Sequence, residues 1–104
     1  MDNSVQIIVD YKLKILLISK GIIDKMHTFY YKNVDNEPSL EISNRFKDLF
    51  SYEIEKFEHE YARVIPPELK NSPFDFIPYN FSLRLLIDLK KEYIYLIEKI
   101  NEKE

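Results

Sequence analysis

Apolar residues recur at intervals of three and four in three stretches of this chain, and two proline-bearing breaks separate them. The first stretch covers residues 4–32. Val5, Ile8, Val9, Ile15, Leu16, Ile22, Ile23, Met26, Phe29 and Tyr30 keep helical spacing there, with Lys12 and Ser19 as the interruptions. The Ser4 hydroxyl can accept an orphan backbone N–H and so predicts an N-cap. The same segment also alternates, through Val5, Ile7, Val9, Tyr11, Leu13, Ile15 and Leu17. Strand is therefore the alternative over residues 5–18. A lone strand needs partners that the rest of the chain does not offer, and the segment is read as helix. Gly21, after Lys20, either divides this stretch into two helices or sits inside one.

Residues 33–38 read as a turn, since Asn, Asp and Asn side chains bond locally and Pro38 keeps its predecessor out of the helical region. Ser39 is then the expected cap of a second helix over 39–64, with Ile42, Phe46, Leu49, Phe50, Phe57, Tyr61 and Val64 as its apolar stripe. Its other side carries Lys47, Asp48, Glu55, Lys56, Glu58 and His59. Residues 65–80 hold Pro66, Pro67, Pro73 and Pro78 alongside Phe74, Phe76, Ile77 and Tyr79. Pro67 can open a single helical turn reaching Lys70. A connection this apolar is expected to pack down, as a lid on one end of a bundle or as a docking surface. A third helix is predicted from Asn80 or Ser82 to Asn101. Leu83, Leu86, Ile87, Tyr93, Ile94 and Ile97 line one side of it, and Leu85, Leu89, Leu96 and Ile100 another. A helix apolar over most of its circumference is buried on more than one side, inside the bundle or against a second copy.

Composition narrows the picture. With 45% apolar and 32% charged residues the 104-residue chain has a globular balance, and its length suits one domain. A single Gly argues against hairpin-rich β folds and against glycine-rich phosphate cradles. No Cys is present, which removes disulfides, thiolate metal sites and cysteine nucleophiles. The start Met1-Asp2-Asn3-Ser4 lacks the features of a signal peptide, and the longest aliphatic run is Ile15 to Ile18. A cytoplasmic protein with no membrane partner is the expectation. Net charge is −3. Residues 1–33 carry five lysines against three aspartates, whereas residues 34–63 carry eight acids against four bases. Without a basic face, nucleic acid is an unlikely partner.

Candidate chemistry is sparse. Asp24 and His27 on the first helix and Glu55, Glu58 and His59 on the second could assemble a carboxylate–histidine metal site, because residues three or four apart share a helix face. The spacing differs from the Glu-x-x-His pattern of di-iron bundles, and a solvated charged face explains the same residues. Asp48, Glu53, Glu55, Glu58 and Glu60 cluster, but catalysis would need burial to separate their pKa values, and Lys56 and Arg63 lie among them. The same acids suit a surface that steers a basic partner. A nuclease using Arg45 or Arg63 beside His59 would sit in an acidic segment that repels phosphate. No Ser occupies a nucleophile-elbow motif. Eight Tyr and seven Phe are the last signal. Phe46, Phe50, Phe57 and Phe81 are read as core, whereas Tyr30, Tyr31, Tyr52, Tyr79, Tyr93 and Tyr95 suit interfaces where one end stays wet.

These observations predict an all-α protein, a three- to four-helix antiparallel bundle with an ordered Pro-rich loop before the last helix, spanning residues 1–104 as one domain. The function expected is protein binding, not catalysis, with neither cofactor nor metal. The contact residues expected are Tyr52, Glu53, Glu55, Glu58, Phe74, Phe76 and Tyr79, and the target expected is a protein, with a basic one suited to these acids. The alternatives are a homodimer assembled through the third helix and a metal-dependent bundle enzyme using His27 and His59. In size and composition alone the chain resembles toxin and bacteriocin immunity proteins, antitoxins and phage-encoded inhibitors, which implies a role in neutralising or regulating a protein.

Overall fold

In the computed structural model, residues 3–36, 38–62, 64–70 and 72–102 are described; Met1, Asp2, Glu37 and Arg63, which entered the sequence reading, lie outside them. Among the described residues the chain is all-α, with helices α1 (Ser4–Asn33), α2 (Ser39–Glu60) and α3 (Phe76–Asn101), and a single 3-10 turn (Pro67–Leu69) between α2 and α3. The strand alternative for residues 5–18 is therefore set aside. Gly21 does not break α1: a Cβ there would meet nothing within 4 Å, and the helix runs through it for 30 residues. The first apolar stretch is one helix.

The caps differ from expectation. Asn3, not Ser4, is the residue flanking α1, and its carbonyl accepts from the Ile7 N–H at 3.0 Å. Pro38, extended at φ −59° and ψ 142°, takes the flanking position of α2, so Ser39 is already helical. Neither helix start has a side-chain cap. The C-terminal end of α1 is better satisfied. The Asn33 Nδ2 donates to the Phe29 carbonyl and the Asn36 Nδ2 to the Lys32 carbonyl, both at 2.8 Å, filling acceptors that a helix end leaves open.

α2 stops at Glu60, short of the expected Val64. The Tyr61 carbonyl, freed from the helical ladder, accepts the Tyr11 hydroxyl of α1 at 3.0 Å, and the prolines at 66 and 67 prevent the helix from resuming. The chain then lays Leu69, wholly buried, against α1. α3 begins earlier than expected, at Phe76, with Pro78 as its third residue. Proline is tolerated there because the first backbone N–H groups of a helix have no partner within it. Ser82 lies inside α3, buried, and donates its hydroxyl to the Tyr79 carbonyl at 3.0 Å.

The three helices run up, down and up. Lys12 sits over the Phe81 ring, His27 meets Glu92 and Lys99 lies over Tyr30, so α1 and α3 are parallel. Lys14 near Tyr61 and Lys25 near Glu53 show α2 antiparallel to α1. The result is a rod of 58 × 17 × 16 Å. Ile15, Met26, Ile42, Phe46, Phe57, Leu86, Leu89, Leu96 and Ile100 are almost wholly buried along its axis. Toward the α1–α2 turn the core is aromatic: Phe46 contacts Phe29, Phe50 and Tyr93 with ring centroids 4.9 to 5.9 Å apart. Ser19, read from the sequence as an interruption, is buried on the core face of α1. Tyr30 is buried as well, and no longer a candidate interface residue.

Two stability changes follow. Leu89→Ala removes a fully buried side chain of α3 and is expected to cost about 2–5 kcal/mol. Gly21→Ala places a better helix former in open space and is expected to gain about 0.5–1 kcal/mol. Urea unfolding followed by circular dichroism measures both, and a destabilised Gly21→Ala protein would contradict the continuous α1.

Candidate docking face

The acidic run of α2 does not form one cluster. Successive helical residues point about 100° apart, so Glu53 parts company with Glu55, two residues on, and with Glu58, five residues on. Glu53 turns toward α1, its carboxylate 3.8 Å from the Lys25 ammonium. Glu58 turns toward α3, 4.0 Å from Lys90. Glu55 points outward with Tyr52, and its carboxylate is 3.9 Å from the exposed His59 one turn on. Tyr52 is 65% exposed.

Glu55 and Glu58 nevertheless share a setting. With Ser51 and Ile54 they form the α2 side of a shallow cleft of about 330 Å³, whose α3 side is Lys90, Tyr93 and Ile94. Ile94 is 54% exposed and Ile87, two turns earlier on α3, is 47% exposed. Phe76 lies on this same side of α3, eighteen residues and five full turns from Ile94. Helical spacing alone places Ile87 and Ile94 on an apolar side of α3. The structure puts the core on the Leu85, Leu89, Leu96 and Ile100 side and leaves these two isoleucines bare. The signal was present, in that α3 has more apolar positions than one buried face can use.

The remaining predicted contact residues lie elsewhere. Phe74 and Phe76 are exposed and Tyr79 is half-buried, at the start of α3. From Tyr79 to Lys90 is eleven residues, roughly 16 Å along the rod. The Pro-rich segment and the acidic residues are thus separate surfaces.

The histidines do not converge on a metal. His27 Nε2 lies 2.6 Å from a Glu92 carboxylate oxygen across α1 and α3, and His59 pairs only with its neighbour Glu55. Among the described residues no group of three or more His, Asp or Glu is placed to hold a metal ion. Arg63 lies outside the described residues, and Arg45 lies over the Phe29 ring at the far end of α2 from His59.

Tyr93 stacks on Phe46 at 5.6 Å while lining the cleft. Burial raises its pKa above the usual tyrosine value, and the Asp48 carboxylate adds to the shift. Tyr11 is raised too, first by burial and then by Tyr61. Both phenols stay neutral donors throughout the physiological range. No helix among the described residues is long and apolar enough to cross a membrane.

The chain matches no known protein family, no curated protein and no solved structure.

A phenol whose pKa is higher folded than unfolded stabilises the fold fully below the unfolded value, and that contribution is lost as pH rises through the folded value. Stability is therefore expected to fall above about pH 10. In an absorbance titration at alkaline pH, Tyr93→Phe and Tyr11→Phe are each expected to remove a late-ionising phenol. Loss of an early one would contradict the burial assigned to these rings.

Proposed function

We propose that the protein is a small helical binding module that neutralises or regulates a basic protein target through the α2–α3 face. The observation that carries this reading is the exposure of Ile94 on α3 in the cleft it shares with Glu55 and Glu58, with exposed Ile87 two turns earlier on the same helix. Interfaces commonly join an apolar centre that excludes water to a polar, charged rim. Tyr52, with a large ring and few rotatable bonds, is suited to anchor the rim at small entropic cost. The acids speed and orient the encounter with a basic surface, and the isoleucines and Tyr93 supply the area that holds it.

A homodimer through this same face is the second reading, favoured by the bare isoleucines alone. Lys90 lies in the cleft and Lys91 follows it, so a two-fold pairing centred here sets lysines of the two copies against one another.

The test is capture from native cells with the wild-type protein, followed by affinity measurements on the retained target. Glu55→Lys with Glu58→Lys is expected to weaken binding at least tenfold and to flatten its salt dependence, and Ile94→Asp is expected to abolish it. Thr28→Ala, an exposed change on α1 outside the cleft, serves as the control and keeps full affinity. A target bound equally well by all four proteins would sink the α2–α3 assignment.

A further inference from the structure

The surface of α1 near its start is unlike that of an ordinary solvent-facing helix. Val5, Val9, Leu13, Leu16 and Leu17 are all exposed, from 44% to 71%, while Ile8, Ile15, Ser19 and Ile22 on the other side are buried. Their spacing of four, four, three and one keeps the five on a single outward stripe about 18 Å long. Exposed Lys20 and Asp24 continue the same side and end the stripe. The stripe faces away from the bundle. The end of α2 meets another side of α1, where Tyr61 and Glu60 lie by Leu17, Ile18 and Gly21 and again by Tyr11 and Lys14. The Pro-rich segment covers that side too, at Ile7, Tyr11 and Lys14.

We propose that this stripe is the interface of a homodimer in which the α1 helices of two copies pack antiparallel. Two features of the helix agree on that geometry. The stripe runs from residue 5 to residue 17 and is centred on position 11. Its flank carries exposed Asp10 and Lys14, opposite charges centred on position 12. A two-fold axis at this level pairs Asp10 with the partner's Lys14 and Lys14 with the partner's Asp10. It sets Val5 near the partner's Leu16 and Leu17, and Val9 near the partner's Leu13. A parallel pairing would instead carry the two copies of this flank to opposite sides of the seam, where neither Asp10 nor Lys14 meets its counterpart. Both flanking groups have room to turn outward. Asp10 is held by one oxygen, which accepts from Gln6 Nε2 at 2.7 Å, and the Lys14 ammonium only hovers 5.7 Å from the Tyr61 ring centre.

The area is sufficient. At about 100 Å² for each of the five side chains, a symmetric pair hides on the order of 1,000 Å² from the stripe alone. Gln6, Asp10, Lys12 and Lys20 at its margins carry the total past the roughly 1,200 Å² where specific interfaces begin. Because α1 lies across the bundle from the α2–α3 cleft, the dimer leaves both copies of that cleft open.

Sedimentation equilibrium of the full-length protein tests the arrangement. The wild type is expected to show twice the 12.6 kDa chain mass at micromolar concentration. Leu13→Glu is expected to weaken dimerisation at least a hundredfold with helix content unchanged. Asp10→Lys alone is expected to weaken it about tenfold, and Asp10→Lys with Lys14→Asp to restore it, a rescue that only the antiparallel register provides. A wild type monomeric at all concentrations overturns the proposal. So does a dimer that survives Leu13→Glu, or one that Ile94→Asp dissolves. Binding to lipid vesicles that Leu13→Glu removes, without any dimer, assigns the stripe to a membrane surface and equally overturns it.

Discussion

The structure depends on one buried edge of α3. Leu85, Leu86, Leu89, Leu96 and Ile100 face a seam that α1 and α2 share, and α3 packs against both more extensively than they pack against each other. Three helices of unequal length around one seam cannot hide every apolar position. A rod 17 Å across has little interior, so volume at its axis goes to Phe46, Phe57, Leu89 and Ile100 and whatever remains stays outside. The two bare apolar surfaces, on α1 and on α3, follow from that shortage.

Electrostatics tie the helices laterally without anchoring them. Lys25–Glu53 and Lys90–Glu58 are long, partly exposed pairs that contribute little each. Their main effect is directional: each draws one acid off the outer face of α2, so the net negative charge of the middle segment is spread around the helix. The tighter cross-links are polar contacts near the interior, Tyr11 to the Tyr61 carbonyl and His27 to Glu92, which fix α1 against the end of α2 and the middle of α3. Among the described residues no buried side-chain polar atom is left without a partner.

Much of the fold was legible in the residues. Helical spacing located all three helices, and the Asn-rich turn and the short turn at Pro67 fell where their chemistry put them. Boundaries were harder, because they turned on tertiary facts. Tyr61 leaves the helix to receive a hydroxyl fifty residues away, and Pro78 is admitted to α3 because its missing N–H has no duty in a first turn. The surface was harder still. Periodicity reports which residues share a side, but not which side finds a neighbour: Val5, Val9 and Leu16 were grouped with Ile8 and Ile15, and the packing separated them. Likewise Glu53 turns to α1 while Glu55 and Glu58, its neighbours in sequence, share the α2–α3 cleft.

The parallel pairing of α1 with α3 also governs the order in which the chain can become a protein. Contacts such as Lys12 with Phe81 and His27 with Glu92 link positions 65 to 69 residues apart, so none forms until α2 and the proline segment have been made. The α1–α2 hairpin is local and quick to close, but it shares the smaller interface and leaves Phe46 and Met26 waiting for α3. The core is therefore completed only once α3 is present, and until then the apolar faces of α1 and α2 have only each other to pack against.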